Sequence, residues 1–376
     1  MNIKVVLLLM MVLAGCVTVD EKNSATTTAF PLFWPMPPEQ PRYAWEGVFQ
    51  TANDVQLKKN NDDLLKQAIG YASEAKKIFK KPVRVAAANG RVFVTDSMTK
   101  SVHVFDAVRR RYFMFGFRFQ GALVQPLGVA VDGAGQVYVV DAGRKVIVVY
   151  DEMGLWMRNI GDKLGLERPG GIAVSPSGDR VYVTDRDRAD SDNHLLWIFD
   201  GQGNLLRKVG KRGAEDGEFN YPTDVAVGPD GRVFVLDAGN FRVQIFDREG
   251  KFLHKWGQVG RSLGQFARPR TLSVDKDGLI YVVDGAFANI QVFNDTGQLL
   301  LPMGTRGMED GPARFSSPAG IAVDGTGRIF VVDQWLLKVE VLRKLTDAEG
   351  KSVLTNGGKM LPRVEKKPNM AQDLQK

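Results

Sequence analysis

The stretch "VAVGPDGRVFVLDAGNFRVQIFDREGKFLHKWG", from Val225 to Gly257, recurs along the chain with small changes. Upstream it reads "VAVDGAGQVYVVDAGRKVIVVYDEMG" and downstream "IAVDGTGRIFVVDQWLLKVEVL". Each copy opens at a proline, at Pro82, Pro126, Pro169, Pro222, Pro269 and Pro318, spaced 43 to 53 residues apart. A short apolar run follows, then a glycine turn, then a second run ending in Asp96, Asp141, Asp185, Asp237, Asp284 or Asp333. A third run ends in Phe105-Asp106, Tyr150-Asp151, Phe199-Asp200, Phe246-Asp247 or Phe293-Asn294, and the last copy departs with Val341-Leu342.

A period of this length with about four short strands per copy predicts an all-β chain folded as a six-bladed β-propeller. Runs such as "VFVLD" and "IYVVD" are apolar nearly throughout rather than alternating. That pattern suits sheets covered on both faces, as blades are by their neighbours. The first strand of each copy carries a small residue at one position: Ala86, Ala130, Ala173, Ala226, Ser273 and Ala322. Innermost strands converge on the axis, so these residues are expected to line it. The strand-ending aspartates are expected to accept backbone N–H bonds in the turns that follow.

The stretch Phe219–Gly257, with Asp237, Asn240 and Arg242, resembles the NHL repeat, and the resemblance runs from Pro82 to Leu342. It implies a six-bladed NHL-type propeller, here with a short helical segment before it. Closure of the ring is expected from two segments, Arg42–Gln50 and Gly350–Thr355, because an open edge strand invites aggregation. The Lys-, Ala- and Leu-rich segment Asp62–Phe79 reads as a helix against the domain.

The N-terminus carries a basic residue, an apolar run too short for a membrane span, and Leu13-Ala14-Gly15-Cys16. This resembles the lipobox of bacterial lipoproteins, which implies a lipidated Cys16. Val17 after the cysteine implies delivery to the outer membrane, facing the periplasm. The expected divisions are a signal peptide at 1–15, a tether at 16–41, a strand and helical lead-in at 42–81, the propeller at 82–356 and a basic disordered tail at 357–376. Cys16 is the only cysteine, so no intrachain disulfide or thiolate metal cluster is available.

The net charge is +7. Eight Lys/Arg and four Asp/Glu fall between Arg343 and Lys376, which leaves little charge surplus for the propeller and argues against a nucleic-acid partner. Arg109-Arg110-Arg111 reads as a solvated loop. Two residues after each repeat proline stand Arg84, Gly128, Gly171, Asp224, Thr271 and Gly320. Copies one and four oppose each other in a six-fold ring. Arg84, Asp224, Arg270 and Thr271 are therefore expected to form a polar axial mouth that binds a ligand or partner. The insertion "DRDRADSDNH" (Asp185–His194) offers weak Ca²⁺ candidates in Asp187, Asp190 and Asp192, although it lacks the glycine and glutamate of an EF-hand loop.

Related propellers include lyases with an axial zinc held by histidines and lactonases with an axial calcium. Here His103 and His194 fall in third strands and His254 in a fourth, away from the axis. No nucleophile elbow or phosphate loop is present. The sequence thus points to a non-catalytic envelope scaffold for a protein, peptide or glycan, with no cofactor expected. The alternative is a metal-dependent hydrolase or lyase.

Overall fold

The computed structural model describes residues 32–55, 76–187 and 191–356. They form six antiparallel sheets set around an axis, with each innermost strand beside the next and the last beside the first. The fold is all-β, a six-bladed propeller. Blade four shows the unit: strands Pro222–Val227, Val233–Asp237, Arg242–Phe246 and Phe252–Trp256, paired in chain order from the axis outward.

The second strand of that blade is buried at every position. Its side chains alternate between two neighbours. Val233 and Val235 pack toward blade three with Tyr182, Ile198 and Phe219. Phe234 and Leu236 pack toward blade five with Ile280 and Phe293. A strand between two apolar surfaces has no solvent side, which is why its sequence does not alternate. Phe219, fully buried and 5.7 Å from the Phe246 ring, fills the seam between blades three and four. The turn after each first strand needs a left-handed residue. Gly90, Gly135, Gly178, Gly231, Gly278 and Gly327 supply it at φ of 72, 85, 72, 82, 81 and 83°.

The repeat aspartates act as tethers. Asp141 accepts N–H bonds from Gly143 and Arg144 in its own turn and from Val124 and Gln125 in the chain arriving from the previous blade. Asp96, Asp284 and Asp333 repeat the pattern. One carboxylate thus pins both ends of the loop pair that frames the mouth. Blades three and four depart from this. Among the described residues Asp185 accepts backbone N–H bonds from Glu167 and Arg168 and none from its own turn, and Asp237 accepts from Asn220 N and the side chains of Asn240, Arg242 and Gln244.

Ring closure uses one of the two expected segments. Tyr43–Phe49 pairs antiparallel with Lys338–Lys344, from Tyr43 opposite Lys344 to Phe49 opposite Val339, and completes blade six from the N-terminal side. Residues 43–49 therefore belong to the propeller rather than to a lead-in. Gly350–Thr355 is not a strand. It lies within the helix Asp347–Thr355, started by a capping box in which the Thr346 side chain accepts from Glu349 N and Glu349 reaches back to Thr346 N. Val353 anchors this helix against Phe33, Ala44 and Leu345. In the expected helix Asp62–Phe79, residues 62–75 lie outside the described residues, and 76–79 are irregular and lead to the first inner strand. Cys16, the tether before residue 32 and the tail from 357 also lie outside them.

Candidate functional site

The six small residues do line the axis. Ala86, Ala130, Ala173, Ala226, Ser273 and Ala322 surround one end of the channel, a space of about 200 Å³. The other end, where the inner strands begin, opens into a pocket of about 520 Å³. Arg84 borders both spaces and, with Asp224, closes the channel between them.

Arg84 leaves blade one and reaches across the axis. Its guanidinium donates to the carbonyls of Ala319 in blade six, Thr223 in blade four (3.3 Å) and Arg270 in blade five (3.0 Å). Its Nε lies 3.8 Å from Asp224 Oδ2, with the two side chains 16% and 8% exposed. That oxygen also accepts from Thr271 Oγ1 and from Leu272 N at 3.1 Å. Burial pushes the Asp224 carboxyl up, opposed by the Arg84 charge and the Thr271 hydroxyl. Glycine at two neighbouring positions leaves room for this pair. A Cβ on Gly171 would stand 2.5 Å from Asp224 Cα, and one on Gly320 would stand 2.8 Å from Arg84 Cα.

Four arginines line the pocket above: Arg84, Arg186, Arg268 and Arg270. Arg270 donates to Ser317 Oγ and Pro318 O, both at 3.3 Å, and Arg268 to Gly285 O at 2.9 Å. Among the described residues the Arg186 guanidinium donates no hydrogen bond and meets the Tyr221 ring at 5.9 Å. Tyr221 is held in turn by blade three, its N–H donating to His194 Nδ1 at 3.1 Å and its ring set edge-on to the imidazole. Burial lowers the affinity of Arg186 for its proton, and Arg84 and Arg168 add repulsion. Burial, Arg268 and Arg84 do the same to Arg270. The site is therefore a concave cluster of guanidiniums over a single carboxylate.

The residues expected from sequence meet here. Arg84, Asp224 and Thr271 form one bonded group, and Arg270 stands beside it. Arg186, Arg268 and Tyr221 were missed. A signal for Arg186 was present: the residue after the strand-ending aspartate is Ser97, Ala142, Ala238, Gly285 and Gln334 in the other copies, so a long cation in copy three is the outlier. In the sequence the insertion around it is weighed only for Ca²⁺.

Of the Ca²⁺ candidates, Asp190 lies outside the described residues. Asp187 N donates to Asn193 O, and Asp192 O accepts from His194 N and Arg212 N, contacts that fold the insertion back on the blade. Among the described residues no group of three His, Cys, Asp or Glu is arranged to hold a metal ion. The mouth is also a poor fit to a cation. Asp224 already accepts from Thr271 and Leu272, and four guanidiniums would face the ion. His103 is buried beside Phe79 and bonded to the Tyr112 hydroxyl, and burial pushes its imidazole down to about 4.

The NHL repeat family matches at residues 166–199 and 219–246, in copies three and four. A gluconolactonase from Zymomonas mobilis is 25% identical over 169 residues, which cover 40% of this chain and 47% of that protein. The chain thus spans about half the length of that relative. Among solved structures, a gluconolactonase from Xanthomonas campestris aligns with a TM-score of 0.53 at 18% identity, covering 71% of this chain and 88% of the other. Virginiamycin B lyase from Staphylococcus aureus aligns at 0.52 and 12% identity, covering 70% and 95%. These likenesses show the fold.

Proposed function

The chain is an NHL-type six-bladed propeller, and we propose that it serves as a non-catalytic binding scaffold of the bacterial cell envelope. Lipid on Cys16 would hold it to the outer membrane, facing the periplasm, and its mouth would take an envelope protein, peptide or glycan. The observation that carries this reading is the closed axis. Arg84 spends its donors on three other blades, and Asp224 spends one oxygen on Thr271 and Leu272. Groups fixed this way shape a rigid floor under a pocket of the size that holds small ligands and peptide ends.

Two experiments test the reading. Cross-linking in intact envelopes, with Arg84→Ala and Asp224→Asn variants checked for folding by circular dichroism, should capture a partner that both variants lose. Equal capture by folded variants would remove the mouth from the proposal. Cys16→Ser should move the protein from the membrane fraction to the soluble one, and an unchanged distribution would remove the anchor.

A second reading, a metal-dependent propeller enzyme of lactonase or lyase type, draws support from the partial match to gluconolactonase. Metal content of chelator-free protein, followed by lactone hydrolysis assays, tests it. One tightly held Ca²⁺ per chain, lost on Asp187→Asn with Asp192→Asn, would favour it over the scaffold.

A further inference from the structure

We infer that the mouth is a receptor for a small polyanion, a ligand presenting at least two carboxylate or phosphate groups. This rests on the reading above that the mouth is the binding site, and it names what the mouth takes.

Elsewhere this protein pairs its buried arginines with acids. Arg91 is 7% exposed and reaches both Asp106 and Glu152 at 3.0 Å. Arg242, also 7% exposed, lies 2.8 Å from Asp237. Arg343, 4% exposed, reaches Glu46 at 2.7 Å and Glu349 at 3.0 Å. In each case the fold answers a buried guanidinium with carboxylates, as the desolvation of a charge demands. The mouth does the opposite. It gathers four guanidiniums, Arg268 exposed and Arg84, Arg186 and Arg270 half-buried, with one carboxylate directly below them.

Asp284 and Asp333 attract Arg270 from behind while accepting N–H bonds from the arriving chain and their own turns, and among the described residues neither forms an ion pair with it. Asp185 stands behind Arg186 and accepts from Glu167 and Arg168. Arg186 itself is left with an aromatic face. Like charges crowded in a concavity raise the free energy of the empty protein, and an anion that enters lowers it. Guanidiniums present paired donors that match the planar edge of a carboxylate or the oxygens of a phosphate. A concavity of about 520 Å³ suits a small molecule or the acidic end of a peptide or glycan. The guanidiniums come from blades one, three and five, so a ligand with oxyanion groups at two points engages more than one of them.

The test is isothermal titration calorimetry of the full-length protein in detergent with pyrophosphate, citrate and, as the ionic-strength control, NaCl. Saturable binding of at least one polyanion is expected, at least tenfold weaker in Arg186→Gln and partly restored in Arg186→Lys. Pyrophosphate without citrate would assign phosphate, and the reverse would assign carboxylate. Because Arg186 is surplus to stability, Arg186→Gln should melt at or above the wild-type temperature. Three results would each overturn the inference: no binding beyond matched NaCl, binding untouched in an Arg186→Gln, Arg268→Gln double variant, or a large loss of melting temperature in Arg186→Gln. If both anions fail while Arg84-dependent cross-linking persists, the scaffold reading stands and the polyanion does not. If anions bind and no partner is captured, the macromolecular scaffold falls instead.

Discussion

The two ends of the axial channel are made by the same six strands and share no chemistry. At one end the strands present Ala86, Ala130, Ala173, Ala226, Ser273 and Ala322 with valines between them. At the other they present Arg84, Arg270 and Thr223, joined by Arg186 from the end of a second strand and by Tyr221 and Arg268 from the loops. The alanine end obeys a packing rule that acts alike on every copy, since converging backbones leave room for little more than a methyl group. The arginine end is where the copies stop agreeing. In a repeat protein, uniformity marks what the architecture requires, and divergence at equivalent positions marks where function has room to act.

The largest effect should come from breaking the pair that separates the ends. Asp224→Ala leaves Arg84 buried without its carboxylate and should destabilise by about 3 kcal/mol or more, read by chemical denaturation. An Arg84→Met, Asp224→Leu double variant should recover most of that loss. If the double variant is as unstable as the single, the pair is not what closes the axis. A somewhat smaller loss, about 2–3 kcal/mol, is expected for Asp141→Ala, which abandons four N–H donors. Asp185→Ala should cost less, because Asp185 holds only the arriving chain. Equal losses would mean that blade three is tethered like blade two.

The same comparison has a pH form. Burial pushes the Asp185 carboxyl up to about 6, above its ordinary 3.8. A raised acid favours the folded state when protonated, so its contribution is full below about pH 4 and is lost as pH rises through 6. His103, pushed down to about 4, works the other way. Its unfolded form takes a proton near 6.5, so stability falls as pH drops from there toward 4. Between pH 4 and 6.5 these two contributions oppose each other. Asp185→Asn should unmask the His103 slope, on the order of 2 kcal/mol across that window. Superimposable profiles of the two proteins would show that Asp185 titrates normally.

The smallest effect is expected at the glycines beside the closure. Gly171→Ala sets a Cβ against Asp224 and should cost about 1–2 kcal/mol by displacing it. Gly325→Ala, where a Cβ meets nothing, should be near neutral. If the two behave alike, the throat is looser than its contacts imply.

Much of this was legible in the residues. The prolines and aspartates marked blade boundaries, and the small residues marked the axis. Arg84, Asp224 and Thr271 stood out because their three other equivalents, Gly128, Gly171 and Gly320, are glycine. The C-terminal helix was misread as a strand although Thr346-Asp-Ala-Glu349 is a helix-start signal, because ring closure was expected from that end. Closure came from Tyr43–Phe49, nearly three hundred residues from its partner strand, and no local pattern reports so distant a pairing. Arg186 was hidden for a related reason. Its neighbours in sequence are acids and polar residues of a surface insertion, and its neighbours in space are Tyr221 and Arg84.

By itself the sequence determined the number of blades, their register and the residues that line the axis, because those depend on a period that every copy repeats. The tertiary structure alone decided which strand closes the ring and which cations share the mouth. A repeat sets the height and direction of a side chain within its own blade. The separation between side chains of different blades follows only once the ring has closed.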